Sequence, residues 1–223
     1  MKIAISGSGG TGKTSLCHAL SANLGLPAIE EQLQPVVEAI NQVHKARQDQ
    51  ASPEGISRAE RFYAQICENW LNDRVALHEK FPGGFIADRW ALDILQRWLV
   101  AGIQRNNDLL TRKLLGHVQN EARQLDLVII TPMIQFQDEQ VNEAGLRRQQ
   151  SLSPRILSHA MYRGLLEQLT TVPRLYLSSQ PSTVEERVAQ VRVALKKIKM
   201  QKPHRDQNPP SNAPRQKLTT PEE

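Results

Sequence analysis

The chain has 223 residues, 39% of them hydrophobic and 23% charged, with a formal charge of +5. That length suits one α/β domain with a buried core and a tail. It holds no run of about 18 apolar residues, which excludes a membrane-spanning helix, and only Ile3, Ala4 and Ile5 separate Met1-Lys2 from the glycines, far short of a secretory leader.

The first element is a β-branched run over residues 2–6 (KIAIS) that stops at glycine. Further strand candidates lie at 26–30, 85–88, 127–131 and 174–178. Helical patterns fill the gaps at 12–24, 34–47, 57–79, 91–102, 108–124, 153–170 and 183–200. Strands separated by helices imply crossover connections, hence a parallel sheet with helices on both faces. Ser153-Pro154 places proline at the first helical position of one helix. Pro181-Ser182-Thr183, followed by Glu185-Glu186 and ending in Lys196-Lys197, marks a capped start and a basic last turn.

Cys17 and Cys67 are the only cysteines and show no metal or redox spacing, so they read as reduced thiols of a cytoplasmic protein. The six histidines are scattered without ligand spacing. Trp70, Trp90 and Trp98 read as core or interface residues. From Lys196 onward seven basic residues face three acids, a charge of +4 that leaves the body near +1. The organisation is therefore a domain over 1–200 and a basic, proline-rich tail over 201–223 that cannot bury enough surface to order itself. The tail reads as a solubilising end rather than a nucleic-acid arm, with a protein partner or a homodimer as its other uses.

Gly7-Ser8-Gly9-Gly10-Thr11-Gly12-Lys13-Thr14 fits G-x-x-x-x-G-K-[ST] at every position. A loop wrapping a phosphate aims consecutive N–H groups inward, which side chains would obstruct and positive φ values require glycine to permit. Residues Gly7 to Ser15 are expected to bind ATP, with Lys13 reaching its β- and γ-phosphates and Thr14 ligating Mg²⁺. The same glycines satisfy G-x-G-x-x-G with Glu30 or Glu31 about twenty residues on, the dinucleotide pattern. Lys13-Thr14 decides against it, because the dinucleotide turn has no role for that pair.

In open parallel sheets ligands bind beyond the carboxyl ends of the strands. The third strand ends in Asp88-Arg89, where a carboxylate can hold the Mg²⁺ shell or accept a hydroxyl proton and an arginine can meet a phosphate. The plainer alternative is a surface Asp–Arg pair opening a helix. The second strand ends in Glu30-Glu31, either an acceptor-side base or two acids in the next helix's first turn. Thr131-Pro132 ends the fourth strand, and Asp126 at its start reads as a turn cap. The polar segment 137–150 carries Arg147 and Arg148, which with Arg155 are candidate lid arginines; the alternative is a solvated loop.

These features together resemble the P-loop kinase group of deoxynucleoside kinases, thymidylate kinases and nicotinamide riboside kinase-type ATPases. The residues are GSGGTGKT, the acid after the second strand, Asp88-Arg89, the arginine-bearing segment after the fourth strand, and STVEER opening the last helix. The last subgroup is closest in layout. Over residues 1–200 the resemblance implies a three-layer fold with a five-stranded parallel sheet in order 2-3-1-4-5. It also implies that the turn at 178–182 lies beside adenine, that Asp88 is the strand-three acid with Arg89 its companion, and that Glu31 meets the acceptor, with Glu30 as fallback. Gln34 stands where relatives often carry arginine, and Trp90 where many carry Ser or Tyr. The expectation is ATP- and Mg²⁺-dependent phosphoryl transfer to a small nucleoside- or nucleotide-like acceptor. The alternative is a nucleotide-dependent ATPase or switch acting through a partner; no NKxD-type guanine signature occurs.

Overall fold

The computed structural model describes residues 1–103, 108–133, 152–178, 180 and 182–201. Five strands form one sheet: β1 (Lys2–Ser6), β2 (Ala28–Ile29), β3 (Phe85–Asp88), β4 (Leu127–Ile130) and β5 (Arg174–Tyr176). All pairs are parallel, in the order β2-β3-β1-β4-β5. Seven helices lie between and after them among the described residues: α1 (Lys13–Leu24), α2 (Gln34–Gln48), α3 (Pro53–Lys80), α4 (Ala91–Val100), α5 (Asp108–Gln124), α6 (Leu152–Leu169) and α7 (Val184–Gln201). The expected sheet order and the helices on both faces are therefore present.

Strand alternation divides the core into two layers. Ile3, Ile5, Ile86, Leu127 and Ile129 pack with Leu16 and Leu20 of α1 and Val191 and Leu195 of α7. Ala4, Phe85, Ala87, Val128 and Ile130 face the other way, onto residues of α2 to α6. Trp90 and Trp98 lie in that second layer, fully buried, as expected of core tryptophans. Both cysteines are buried and free. Asp126 accepts from the Lys2 amide at 2.9 Å, tying the start of β4 to β1.

Several boundaries differ from the pattern. β2 is only two residues long, because the chain turns away after Ile29 to present Glu30 and Glu31. α3 starts earlier than 57: Ser52 Oγ accepts from the Gly55 amide at 3.2 Å and Pro53 follows at the first position. α6 starts at Leu152, one residue before the expected Ser153-Pro154 opening. The last helix is capped as expected, with Thr183 and Glu186 exchanging bonds at 2.8 and 3.2 Å. Gln201, the first residue of the expected tail, ends α7, and the rest of that tail, residues 202–223, lies outside the described residues.

Behind the sheet tips lies a buried polar cluster. His78 of α3 stacks on Phe85 with centroids 4.3 Å apart, its Nε2 3.3 Å from Glu121 Oε1. Burial, then the charges of Arg74 and Lys2, push the His78 pKa down to about 3. Burial pushes Glu121 up to about 7. An unfolded histidine takes a proton below about 6.5, whereas buried His78 resists it until about 3. The stability His78 contributes is thus present above 6.5 and lost as the pH falls through that window. Glu121 works oppositely, since its folded form takes a proton first. The stability difference between wild type and His78→Gln is therefore expected to shrink between pH 6.5 and about 3 in chemical denaturation, isolating the histidine from Glu121. A difference independent of pH would contradict the assignment.

Candidate active site

Alternation along the strands decides which layer each tip residue meets. Ile86 faces α1, so Asp88, two residues on, faces α1 as well. Ala4 faces the opposite layer, so Ser6 does too, and its Oγ donates to Asp93 of α4. Gly7 to Thr14 then run from the tip of β1 into the first turn of α1.

Gly7, Gly10 and Gly12 have φ of 142°, 73° and 77°. A Cβ at Gly7 would fall 2.0 Å from Thr131 Oγ1, so the close approach of loop and β4 tip admits glycine alone. Gly12 caps α1 with no side-chain bond, and no acid occupies the first turn. The helix-terminal N–H groups and the positive dipole end are left for an anion. Lys13 Nζ donates to the Ser8 carbonyl at 2.9 Å, which folds it back over the loop. Burial first, and the nearby Arg89 second, bring its pKa down to about 8. Gly9 and Gly10 complete the loop, and Ser15 is exposed on α1.

Two distant elements clamp this loop. Thr11 and Thr131 share a hydroxyl hydrogen bond at 2.7 Å, and Thr131 also donates to the Ser6 carbonyl at 3.1 Å. Arg187 of α7 donates to the Thr11 carbonyl at 2.7 Å and to Ser182 Oγ at 3.0 Å.

Asp88 is wholly buried and Arg89 nearly so, which removes the reading of a surface pair. Nor does Asp88 cap α4, whose N-cap is Trp90. Thr14 Oγ1 donates to Asp88 Oδ2 at 2.6 Å, while Oδ1 is buried with no partner among the described residues. A hydroxyl and a carboxylate with an unused oxygen suit Mg²⁺, which takes one or two protein oxygens and completes its shell with water and phosphate. Burial raises the Asp88 pKa despite the Thr14 bond and Lys13, and a cation at Oδ1 would hold it ionised.

Glu31 and Glu30 part company. Glu30 is exposed, whereas Glu31 Oε1 accepts from Arg89 Nε at 2.7 Å. Neither lies in the first turn of α2, which begins at Gln34. Burial opposes the Glu31 charge, but the charge and hydrogen bond of Arg89 outweigh it and hold the carboxyl below its ordinary range. Arg89 also donates from Nη1 to Asp93 Oδ1 at 2.8 Å and to the Gly7 carbonyl at 3.1 Å. Arg74 of α3 donates to the carbonyls of Glu30, Asp88 and Arg89, joining the tips of β2 and β3 from behind. Gln34 bonds Glu38 at the surface.

The structure thus brings together Gly7, Lys13, Thr14, Glu31, Asp88 and Arg89. Arg147 and Arg148 lie outside the described residues, and Arg155 lies in α6. Sequence reasoning missed Asp93 and Arg74, and it gave no role to Thr131 at the end of the fourth strand or to Arg187 at the end of STVEER. Asp93 could have been found, since it stands four residues after Arg89 as an acid on the face of an apolar helix. The others reach the site from elements far away in the chain, and no local spacing marks them.

A deoxyadenosine kinase from M. mycoides with bound dCTP matches this fold with a TM-score of 0.53 at 16% identity, covering 90% of this chain and 100% of that one. The same enzyme with bound dATP matches at 0.50 and 16%, covering 88% and 99%. No curated protein matches in sequence. Identity this low shows the fold alone, and the fold is that of the P-loop kinases, as the sequence resemblance implied. The glycine loop, the lysine behind it and the parallel sheet that presents them belong to one sequence family as well: the AAA domain family matches residues 2–187, and the chain belongs to it.

Proposed function

We propose that the protein transfers the γ-phosphoryl group of ATP, with Mg²⁺, to a hydroxyl of a small nucleoside- or nucleotide-like acceptor. The observation that carries this reading is the Glu31–Arg89 pair, a carboxylate held at 2.7 Å from a guanidinium that also reaches the carbonyl of Gly7 in the phosphate loop. A carboxylate so placed can orient and deprotonate an oxygen nucleophile opposite the Asp88–Thr14 pole. The fold neighbour, a deoxyadenosine kinase, supports the same class of chemistry.

The loop amides and the α1 terminus bind the phosphates, and Lys13 leaves the Ser8 carbonyl to meet the β- and γ-oxygens. Thr14 and Asp88 would hold Mg²⁺, which screens the phosphate charge. Glu31, ionised across the neutral range, accepts the hydrogen bond of the acceptor hydroxyl, orients its oxygen and takes its proton as the new bond forms. Arg89 fixes that carboxylate in place. The segment 137–150, with Arg147 and Arg148, is the candidate lid that would cover the transferring group and exclude water.

Incubation with Mg²⁺ and γ-labelled ATP, with and without nucleosides and nucleotides, tests this reading. Label is expected to move to an acceptor. Slow phosphate release indifferent to every acceptor would replace it with the ATPase or switch alternative. Lys13→Ala removes a charged contact and is expected to weaken ATP binding about 10- to 100-fold by fluorescence titration; unchanged binding would sink the loop assignment. Glu31→Gln keeps an acceptor for Arg89 and removes the base. Turnover is expected to fall about 10²- to 10⁴-fold with ATP affinity intact, and a variant with normal turnover would exclude Glu31 from the chemistry.

A further inference from the structure

Arg187 sits in the opening turn of α7, its amide bonded to the Thr183 carbonyl at 3.2 Å. That is the positive end of a helix, where a cation is disfavoured, and the residue is only 6% exposed. From there the guanidinium reaches the phosphate loop. Nη1 donates to the Thr11 carbonyl at 2.7 Å, and a Cβ added to Gly12 would lie 3.3 Å from the same nitrogen. Nε donates to Ser182 Oγ at 3.0 Å. Both acceptors are uncharged, and among the described residues no ion pair involves Arg187. Its neighbours Glu185 and Glu186 are exposed, and Glu186 is turned to the Thr183 amide.

A buried cation without a carboxylate is costly. Here the cost is compounded, because the guanidinium also lies against the start of α1, whose first turn carries no acid. Two positive helix ends and a buried guanidinium thus converge on one loop. The arrangement is unfavourable in the free protein and becomes favourable when an anion joins it, since charges act strongly where water is scarce. The contact also acts through the backbone. The Thr11 carbonyl and the Gly12 N–H belong to one peptide unit, so a charged donor on the carbonyl polarises that unit and strengthens the N–H as a donor. A neutral amide could make the same hydrogen bond without burying a charge. Docking of α7 and supply of charge therefore have different signatures on substitution.

We propose that Arg187 is a positioning residue of the nucleotide site, whose charge, held against the loop through Thr11 and Ser182, raises the loop's affinity for the polyphosphate of the nucleotide. The proposal rests on the phosphate-loop reading and is independent of the acceptor.

The test displaces a fluorescent ATP analogue from the full chain, with Mg²⁺ present, using ATP, ADP and inorganic tripolyphosphate. Wild type is compared with Arg187→Gln and Arg187→Lys, each checked for folding by its melting transition. Arg187→Gln is expected to weaken ATP and tripolyphosphate by a similar factor, about 10-fold, and ADP by less. Arg187→Lys keeps the charge and should stay within about 3-fold of wild type at neutral pH. Above about pH 9 lysine begins to discharge and arginine does not, so the gap between Arg187→Lys and wild type should widen there. That second reading holds even where Arg187→Gln does not fold. Equal affinities in wild type and Arg187→Gln overturn the proposal and leave the loop reading standing. So does a lysine variant as weak as the glutamine one and indifferent to pH, which marks a docking role alone. A loss seen with ATP and absent with tripolyphosphate also overturns it, by assigning Arg187 to the nucleoside. Failure of wild type to bind the analogue ends the loop reading, and this proposal with it.

Discussion

Arg89 is a buried arginine with a φ of 73°, a left-handed conformation that costs a non-glycine residue about 1–3 kcal/mol. Its charge is opposed by burial and restored by Asp93 and Glu31, which hold its pKa above the ordinary value. The unusual backbone has a geometric result. It turns the side chain back across the tip of β1, where one guanidinium can span Gly7, Glu31 and Asp93 at once. Arg74 secures the same turn from behind by donating to the Arg89 carbonyl. Loss of either arginine would leave buried carboxylates or carbonyls uncompensated, which is costlier than the pair is stabilising.

The two poles of the site differ in how far they are satisfied. On the proposed acceptor side Glu31, Arg89 and Asp93 are joined in an unbroken chain of charged hydrogen bonds. On the phosphate side the groups are left open. Asp88 keeps an oxygen without a partner among the described residues, α1 begins without an acid, and Lys13 donates to a loop carbonyl. Under the proposed transfer, fixed groups beside the acceptor and open groups beside the phosphates are what the reaction requires, since the donor brings charge and the acceptor needs orientation.

Much of this was legible in the sequence because it rests on local rules. The eight residues from Gly7 to Thr14 encode their own geometry, and alternation along FIAD alone puts Asp88 on the face of Ile86, toward Thr14. The choice between Glu30 and Glu31 was not local. It depends on β2 ending at Ile29 and on Arg89 adopting a left-handed turn, and neither follows from the residues themselves. The roles of Arg74 and of Arg187, read only as the last residue of STVEER, were hidden for the same reason. Each lies on an amphipathic helix where an arginine normally reads as solvated, and only the packing of α3 and α7 buries it. The start of α3 was misjudged because Ser52-Pro53, a strong opening signal, precedes a first turn with little apolar content.

The central claim is that Glu31 and Arg89 act as one unit joining acceptor and phosphate loop. A double-mutant cycle on kcat/KM for phosphoryl transfer tests it most directly, using Glu31→Gln, Arg89→Lys and the pair, each checked for folding by its melting transition. The account predicts strong non-additivity, with the double variant little worse than the poorer single one. Losses that simply add in free energy would show that the two residues work independently, and would contradict it.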